Sequence, residues 1–263
     1  MTDRIRTHHD GPRFEIVIDR ADKRNAIDWP MMQALSAAID AAEQAPGARV
    51  VVIRGEGAGF SAGIDLLGFE ALAADFGPDW RDNLFPVTAA MQTVFNKIER
   101  CSLPVVALLH GFCLGMGLEL ALACDFRLVA EGTRLGLPET RLGLIPDVGG
   151  TTRLTRLAGP GVAKSLILTG REFSPDEALR WGIATEVVPA DQLATSAQTL
   201  IDSLVAAAPL AVSYAKRVID AVADIDRGLQ LEAWAQSVLI RSEDFMTGAQ
   251  AMLTKQSPDW KGR

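Results

Sequence analysis

Apolar and polar positions along the chain switch between the two-residue period of a strand and the longer period of a helix. Residues 13–19 (RFEIVID) alternate and carry β-branched side chains, which predicts a strand. After Asp28 and Pro30, which suit an N-cap and a first helical turn, the spacing of MMQALSAAIDAAEQA is helical. Residues 49–54 (RVVVIR) are apolar almost throughout, which is typical of a strand buried on both faces.

The same order of strand, turn and helix recurs further along. Residues 83–101 predict a long helix, and residues 104–109 (PVVALL) and 125–130 (DFRLVA) predict strands on either side of an apolar run at 118–124. Strands that alternate with helices pair in parallel, so the pattern predicts an α/β fold. Three helical stretches and a short strand follow, at residues 151–157, 161–169, 175–181 and 183–188.

The C-terminal part of the chain has a different character. From Asp191 onward the pattern is helical and Ala-rich, apart from the polar tail SPDWKGR. No Ser/Gly-rich linker or low-complexity tract divides the chain. We therefore predict an α/β core over residues 1–195 and a helical region over residues 196–263.

Composition narrows the classes of function. Among 263 residues, 33 Asp and Glu outnumber 26 Lys and Arg, and the formal charge of −7 disfavours binding to nucleic acid or an anionic membrane. Three cysteines without CxxC spacing argue against a disulfide scaffold or zinc ribbon and fit a reducing cytoplasm. The polar N-terminus, with His8 and His9 in a frayed end, shows no signal peptide. No apolar run reaches the roughly 18 residues of a membrane span.

Several familiar motifs fail on their context. GFSAG at 59–63 matches a nucleophile elbow, but His110, the only histidine beyond the N-terminus, does not lie late in the chain. GEGAGF at 55–60 and GMGLEL at 115–120 each lack the third glycine of a dinucleotide-binding turn. GVAKS at 161–165 lacks P-loop spacing, and no side chains have metal-ligand spacing. We expect no metal and no cofactor.

The first segment with candidate chemistry is FSAGIDL at residues 60–66. Its small residues follow a buried strand and let backbone N–H groups approach a ligand closely. If a helix begins near Asp65, its free N–H groups and its dipole favour an anion there. An ordinary strand-to-helix turn explains the pattern equally well.

The second segment, HGFCLGMGLELALACD at residues 110–125, repeats this order of strand, glycine turn and helix. Glu119 is the only charged residue between His110 and Asp125. Burial of a carboxylate is unfavourable unless it is hydrogen-bonded, and it raises the pKa, as happens at many functional sites. We favour a functional role for Glu119 over capping or a structural ion pair, which an acid in a first helical turn can also provide.

The third segment, residues 135–152 (LGLPETRLGLIPDVGGTT), places an acid after each of two prolines. Asp147 could be the N-cap of the following helix. Glu139 could pair with Arg141 or Arg134. Taken singly, either acid fits a structural role better than a catalytic one.

Taken together, these segments resemble the crotonase superfamily, also called the enoyl-CoA hydratase/isomerase family. The similarity covers nearly the whole chain, from DKRNAI at 22–27 through SPDEALRWG at 174–182 to the C-terminal SEDFMTGAQAMLTKQSPDWKGR. It implies a crotonase-like spiral of ββα units with a helical C-terminal trimerisation region. It also implies homotrimers, or hexamers as dimers of trimers, that bind acyl-CoA thioesters.

The resemblance implies an oxyanion hole made of two backbone N–H groups. One is that of Ile64, between Gly and Asp of the A-G-x-D motif, and the other is that of Met116, where many relatives have glycine. Such donors stabilise the enolate oxygen formed from the thioester, each typically by about 2.7–4 kcal/mol. A backbone donor does not depend on its side chain, so methionine is a mild departure, although it places a bulky group near the acyl pocket.

Glu119 and Glu139 fall on the two glutamates of the hydratases. By the resemblance they hold one water, and one takes its proton as it adds to C3 of a trans-2-enoyl-CoA while the other supplies a proton to C2. Many relatives with other chemistry lack one or both. The leading expectation is therefore an enoyl-CoA hydratase of fatty acid metabolism, acting in β-oxidation.

Asp147 favours a second activity. Hydratases usually have glycine there, whereas Δ3,5-Δ2,4-dienoyl-CoA isomerases resemble this chain in SAGIDL and in the Asp-Val-Gly step. They use that aspartate to move a proton at the distal end of the diene, but they typically have Asp where Glu119 stands. The isomerase stays as the alternative, beside a non-catalytic acyl-CoA-binding member of the fold. RNA binding, known for a few relatives, is disfavoured by the net charge.

The resemblance also places coenzyme A, as part of the substrate. We expect it along the segment from Lys23 to Ala26, with its adenine near residues 62–66 and with Lys255 of a neighbouring subunit at a phosphate. Residues 67–84 are expected to line the acyl pocket. The expected CoA-binding residues are Lys23, Arg24, Ala26, Ala62, Gly63, Asp65, Leu66 and Lys255.

Overall fold

The computed structural model describes residues 4–82, 84–221, 242–254 and 256–263, in which two sheets and the helices that cover them form a mixed α/β fold. The strands are β1 (Ile5–Asp10), β2 (Arg13–Ile18), β3 (Val50–Gly55), β4 (Val105–Leu109), β5 (Phe112–Leu114), β6 (Phe126–Ala130), β7 (Arg134–Gly136), β8 (Glu172–Phe173) and β9 (Glu186–Val188). The helices are α1 (Trp29–Gln44), α2 (Leu72–Phe76), α3 (Leu84–Glu99), α4 (Met116–Leu122), α5 (Gly150–Thr169), α6 (Pro175–Arg180), α7 (Leu193–Ala206), α8 (Pro209–Ala221) and α9 (Glu243–Thr254).

The larger sheet has the order β1-β2-β3-β4-β6-β9, and all of its pairs are parallel except β1 with β2. Its central strands are buried on both faces, as the apolar runs predict. Alternate side chains of β3, such as Val51 and Ile53, enter a core shared with α1, α3 and α4. Val50 and Val52 point to the opposite face, where α7 covers them. The predicted parallel α/β arrangement is confirmed.

The N-terminal strand corrects one prediction. His8 and His9 do not lie in a frayed end but in β1, where they pair with Glu15 and Phe14 of β2. The side chains from Arg6 to Asp10 are exposed. An edge strand of this kind carries no alternation of apolar and polar residues, so hydrophobic periodicity does not reveal it.

A second, three-stranded sheet in the order β5-β7-β8 was not predicted, because each strand has only two or three residues. Its strand β5 lies next to the loop after β3 through a bridge between Ser61 and Cys113. The small sheet therefore joins the first and second candidate segments and fixes the turn that precedes α4.

Two 3₁₀ helices and one long helix lie within or next to the candidate segments. A 3₁₀ helix at Leu66–Ala71 follows the first candidate segment, and another at Glu139–Leu142 lies within the third. The helical stretches predicted at 151–157 and 161–169 belong to one element, α5, which bends at Gly159, where φ is 79°.

The C-terminal part of the described chain is helical. Helix α7 packs against β3, β4 and β6, and Lys216 of α8 forms an ion pair of 2.6 Å with Asp125. The domain boundary at residue 195 stays a prediction. In the described ranges no single helix has the length and hydropathy to cross a membrane. Residues 190–206 and 209–221 meet that criterion only together, as a pair bent by 104°.

Asn25 connects the loop after β2 to the loop after β3. It is 1% exposed and has φ of 55°, a conformation that Asn tolerates better than most residues. Its Nδ2 donates to the carbonyl oxygens of Glu56 and Gly59, each at 2.8 Å, and its Oδ1 accepts from the Arg20 N–H at 2.9 Å. These bonds hold the two loops that flank the first candidate segment.

We therefore predict that Asn25→Leu lowers the free energy of unfolding by about 2–4 kcal/mol, because buried groups at about 1–3 kcal/mol each lose their partners. Urea denaturation followed by circular dichroism measures the change. The exposed Asp22→Ala, on the neighbouring 3₁₀ turn, is the matched control and should change it by less than about 0.5 kcal/mol. A loss for Asn25→Leu no larger than that of the control would contradict the assignment.

Candidate active site

The loop after β3 and the turn before α4 run side by side. The Ser61 N–H donates to the Phe112 carbonyl at 3.2 Å, and the Leu114 N–H donates to the Ser61 carbonyl at 3.0 Å. A methyl group at Gly63 would lie 2.9 Å from the Leu114 oxygen and 3.3 Å from the Met116 nitrogen. With φ of 101°, Gly63 occupies a conformation that favours glycine, and it brings the next peptide beside the start of α4.

Neither the Ile64 nor the Met116 amide donates a hydrogen bond to any group in the described part of the chain. Around Ile64, the bonds are made by its neighbours: the Ile27 N–H donates to Gly63 and the Asp65 N–H donates to Ile27, each at 2.8 Å. Met116 is the first residue of α4, so its N–H has no acceptor within the helix. Two neighbouring N–H groups are thus free to bind an oxygen.

Glu119 lies in the first turn of α4 and is 2% exposed. Its Oε1 accepts the N–H groups of Val148 and Gly150 at 2.9 and 2.8 Å. Burial raises the pKa of Glu119 to about 8; the charges of Glu139 and Asp147 act in the same direction, and the two N–H groups oppose them. No cation forms an ion pair with Glu119 among the described residues, which argues against a structural ion pair.

Glu139 lies at the start of the 3₁₀ helix and approaches Gly115, where a methyl group would be 3.1 Å from its Oε1. Burial, reinforced by the charge of Asp147, raises the pKa of Glu139 to about 7. Its Oε2 is buried and has no hydrogen-bond partner in the described chain. A buried acceptor left unpaired costs about 1–3 kcal/mol, which suits an atom that meets a water or a ligand.

The alternative partners of Glu139 are engaged elsewhere. Arg134 pairs with Glu172, with Nε at 2.8 Å from its Oε2, and Arg141 donates to the Thr169 carbonyl at 3.2 Å. The alternative that Glu139 pairs with Arg141 or Arg134 is therefore wrong. Arg141 stabilises the neighbouring turn and Arg134 stabilises the small sheet. Neither arginine binds the carboxyl group of Glu139.

Asp147 is not the N-cap of α5, which is Gly149 and has no side-chain cap. Instead, the Asp147 Oδ2 accepts the Thr88 hydroxyl at 3.0 Å, and its carbonyl accepts Gln92 Nε2 at 2.6 Å. Both Thr88 and Gln92 lie on α3, and sequence reasoning missed them. The only feature of the sequence that could have indicated them is the four-residue spacing of two polar residues on a helix whose inner face is otherwise largely apolar.

The structure thus brings Glu119, Glu139 and Asp147 together beside the Ile64 and Met116 amides. Two carboxyl groups with pKa values of about 8 and 7 hold roughly one proton between them near neutral pH. Such a pair can give a proton at one point and take one at another. Among the described residues, no group of three His, Cys, Asp or Glu side chains is placed to hold a metal ion.

The two segments that carry most of the expected CoA-binding residues lie side by side. The Ala62 N–H donates to the Arg24 carbonyl at 3.0 Å, which joins the segment from Lys23 to Ala26 to the first candidate segment. Lys23 and Arg24 are exposed, and the Arg24 guanidinium lies 4.5 Å from the centre of the Phe112 ring. Contact of these residues with CoA stays a prediction.

The Asp65 carboxylate is held by protein groups. Its Oδ2 pairs with Arg20 at 2.7 Å, and its Oδ1 accepts the Leu67 N–H at 3.0 Å. Although burial acts in the opposite direction, Arg20 and the Leu67 N–H hold the pKa of Asp65 below its usual range. Asp65 therefore orients the Ile64 peptide. Leu66 is half exposed, and Lys255 lies outside the described residues.

The raised pKa of Glu119 gives a test that needs no substrate. The folded chain binds this proton more tightly than the unfolded chain, whose glutamate has the ordinary pKa of 4.5. The contribution of Glu119 to the free energy of unfolding is therefore greatest below about pH 4.5 and falls as the pH rises toward 8. Glu119→Gln removes this penalty, so it should become more stable than the wild type with rising pH, by on the order of 3–5 kcal/mol above pH 8.

Urea denaturation at pH 5.5, 7 and 8.5 measures this difference between wild type and Glu119→Gln. The exposed Glu131→Gln, measured under the same conditions, is the control. A Glu119→Gln difference that stays constant from pH 5.5 to 8.5 would refute the raised pKa.

Comparison with known proteins agrees with this geometry. A family model described as Enoyl-CoA hydratase/isomerase matches residues 14–263. Carnitinyl-CoA dehydratase of Salmonella typhi is 37% identical over 273 residues, covering 100% of both chains. Enoyl-CoA hydratase from Bacillus anthracis superposes with a TM-score of 0.91 at 33% identity, covering 99% of this chain and 100% of that one.

A further solved structure, an enoyl-CoA hydratase/carnitine racemase from Magnetospirillum magneticum, has a TM-score of 0.88 at 27% identity, over 100% of this chain and 97% of that one. The agreement therefore extends over the full length in both sequence and structure. The protein has the crotonase fold and is an enzyme of the enoyl-CoA hydratase/isomerase family.

Proposed function

We propose that the protein is an enoyl-CoA hydratase, which adds water across the C2=C3 bond of a trans-2-enoyl-CoA and catalyses the reverse dehydration. The observation that carries the proposal is the Glu119–Glu139 pair, a buried and a half-buried glutamate whose carboxyl groups have raised pKa values and lie beside two free amides. An acid and a base are both needed, and this pair supplies both at neutral pH.

The thioester oxygen accepts hydrogen bonds from the Ile64 and Met116 N–H groups. As water adds to C3, electrons move from the double bond toward this oxygen, and an enolate forms. The free N–H groups, together with the N-terminal end of the α4 dipole, stabilise the negative charge that develops there. The side chain at 116 does not donate, so methionine serves as well as glycine.

The protons balance within the carboxyl pair. The ionised member takes a proton from water as the water oxygen bonds to C3, and the protonated member gives its proton to C2. The addition ends with one proton on the pair, now on the other residue, and return of that proton to the first residue restores the starting state, so no external acid is consumed. The unpartnered Oε2 of Glu139 has the free acceptor capacity that holding a water requires.

Relatives support chemistry of this kind. The Salmonella protein is named a dehydratase, and the Bacillus structure is titled a hydratase. Dehydration is the reverse of hydration and uses the same acid and base. The carnitinyl-CoA in the name of the dehydratase supports a hydroxyacyl-CoA or enoyl-CoA thioester as the substrate here. An activity assay across enoyl-CoA chain lengths would identify the acyl group.

The substrate's CoA lies, in this proposal, along Lys23, Arg24 and Ala26 with its adenine near Ala62 and Leu66, and it stays bonded to the acyl group in the product rather than acting as a cofactor. Trimers or hexamers in the cytoplasm and a role in β-oxidation belong to the same proposal. Residues 67–84 are proposed to line the acyl pocket, and both ends of this segment, Leu67 at 86% and Leu84 at 46%, expose an apolar side chain.

A dienoyl-CoA isomerase remains the second candidate, because Asp147 lies close enough to raise the pKa of both glutamates. An aspartate at this position can move a proton at the far end of a conjugated diene. A non-catalytic binding role does not explain the site, since a buried carboxyl oxygen without a hydrogen-bond partner lowers stability, and binding alone does not require that cost.

Incubation with crotonyl-CoA, followed by loss of the conjugated thioester absorbance, tests the leading proposal. We predict turnover by the wild type and a loss of about 10²–10⁴-fold in kcat for Glu119→Gln, because one of the two proton-transfer groups is removed. CoA binding measured by calorimetry should stay within about threefold. The exposed Glu131→Gln serves as control. Unchanged turnover of Glu119→Gln would remove Glu119 from the mechanism.

A 3,5-dienoyl-CoA substrate separates the two candidates. If Asp147 serves isomerisation, Asp147→Asn should reduce isomerisation by at least tenfold more than hydration of crotonyl-CoA, because only the diene requires a proton transfer at its distal end. Both rates are measured on one protein preparation. An equal loss of both rates would show that Asp147 has no special role in the isomerase reaction.

A further inference from the structure

Four polar residues of α3, Thr88, Gln92, Asn96 and Glu99, form a polar stripe along one side of the helix. Their spacings of four, four and three residues place them on one face. Thr88 and Gln92 bind the side chain and the carbonyl of Asp147. The other two bind a residue of α5 that the proposed mechanism does not use.

That residue is Arg153, whose guanidinium is enclosed between α3 and α5 and is 6% exposed. Its Nε and Nη2 donate to Oε2 of Glu99 at 3.0 and 2.8 Å, and Nη2 also donates to Oδ1 of Asn96 at 2.6 Å. The remaining nitrogen, Nη1, donates to the Val148 carbonyl at 3.1 Å. The guanidinium therefore fastens the turn before α5 to the polar stripe.

The turn is shaped around this guanidinium. Gly149 has φ of 105°, and a methyl group there would overlap Nη1 of Arg153, so this position needs glycine for both conformation and space. The backbone of Arg153 adds a further tie, because its N–H donates to the Gly149 carbonyl at 2.8 Å.

The same turn holds the catalytic glutamate. The N–H groups of Val148 and Gly150, on either side of Gly149, donate to Oε1 of Glu119. A displacement of this turn away from the polar stripe would carry these N–H groups away from the carboxylate. Arg153 reaches Glu119 only through this backbone.

We propose that Arg153 is a positioning residue for Glu119, which it serves by holding the Val148–Gly150 turn against α3 so that two N–H groups point at the carboxyl group. The inference rests on the proposed function for its kinetic test. It predicts that loss of Arg153 changes the protonation of Glu119 as well as stability, whereas a structural ion pair changes stability alone.

The direction of the change follows from the groups around Glu119. The charged groups facing it are Glu139 and Asp147, which disfavour its ionised form, and the two N–H groups favour that form. Loss of the N–H groups therefore raises the pKa of Glu119 further. In the pH profile of kcat/KM, the limb on the alkaline side should therefore shift to higher pH.

The experiment compares Arg153→Lys and Arg153→Met with Arg156→Met. Arg156 also donates to Glu99, at 3.2 Å to Oε1, but its side chain is exposed and has no bond to the turn, which makes it a matched control. Lysine keeps the charge beside Glu99 but lacks the fork needed to bind Glu99 and Val148 together. Thermal unfolding by circular dichroism establishes that each variant is folded.

We expect both Arg153 variants to lose 10–100-fold in kcat toward crotonyl-CoA with KM within twofold, and the upper limb to move by at least half a pH unit. Arg156→Met should change neither kcat nor the position of the upper limb. Where Arg153→Met does not fold, Asn96→Leu, which keeps the ion pair, should move the limb in the same direction by less. An unchanged profile in Arg153→Lys and Asn96→Leu would overturn the inference.

Infrared spectroscopy of protein labelled with ¹³C-glutamate gives a readout independent of turnover. The Glu119→Gln variant identifies the band of Glu119, and its titration should move to higher pH in Arg153→Lys. If the wild type does not hydrate crotonyl-CoA, the proposed function fails, and this titration still decides the role of Arg153. A Glu119 band that titrates at the same pH in both proteins would contradict that role.

Discussion

Glu119 and Oε2 of Glu139 are buried with no cation paired to either carboxyl group among the described residues, and the chemistry of the site follows from this burial. Desolvation raises both pKa values into the range where a proton can be given or taken at neutral pH. The protein limits the cost with neutral donors: two backbone N–H groups at the start of α5 bind Glu119, and they leave it able to carry a proton. An arginine at the same distance would have fixed the carboxylate as an anion and removed it from acid–base chemistry.

The fold explains why the remaining parts meet at this pair. Parallel strands β3 and β4 end at the same edge of the large sheet, and the small sheet joins the segments that follow them. Gly63 and Gly115 let these segments approach closely, so the free Ile64 and Met116 amides lie next to the carboxyl groups. The arrangement is typical of α/β proteins, in which ligands bind beyond the carboxyl ends of the strands. Membership of the enoyl-CoA hydratase/isomerase family agrees with this placement.

Much of this could be predicted from the sequence where burial leaves a strong pattern. The apolar runs of β3 and β4 and the isolated charge of Glu119 in an apolar helix are signals of that kind. The exposed edge strand β1 and the short strands β5, β7 and β8 carry no such pattern and were missed. The hydrogen-bond partners of the acids could not be predicted either. The sequence suggested Arg134 and Arg141 as partners of Glu139 because they are near in the chain. Actual pairing depends on tertiary contacts, such as that between Arg153 and Glu99, which are 54 residues apart.

In the proposed reaction, two main-chain amides and two carboxyl groups surround one thioester carbonyl. A crystal structure with butyryl-CoA, a saturated thioester to which water cannot add, would locate that carbonyl. We expect the thioester oxygen within about 2.7–3.2 Å of both the Ile64 and the Met116 nitrogen, with C2 and C3 between Glu119 and Glu139. A thioester oxygen bound away from either nitrogen, or an acyl chain that reaches neither carboxyl group, would contradict it.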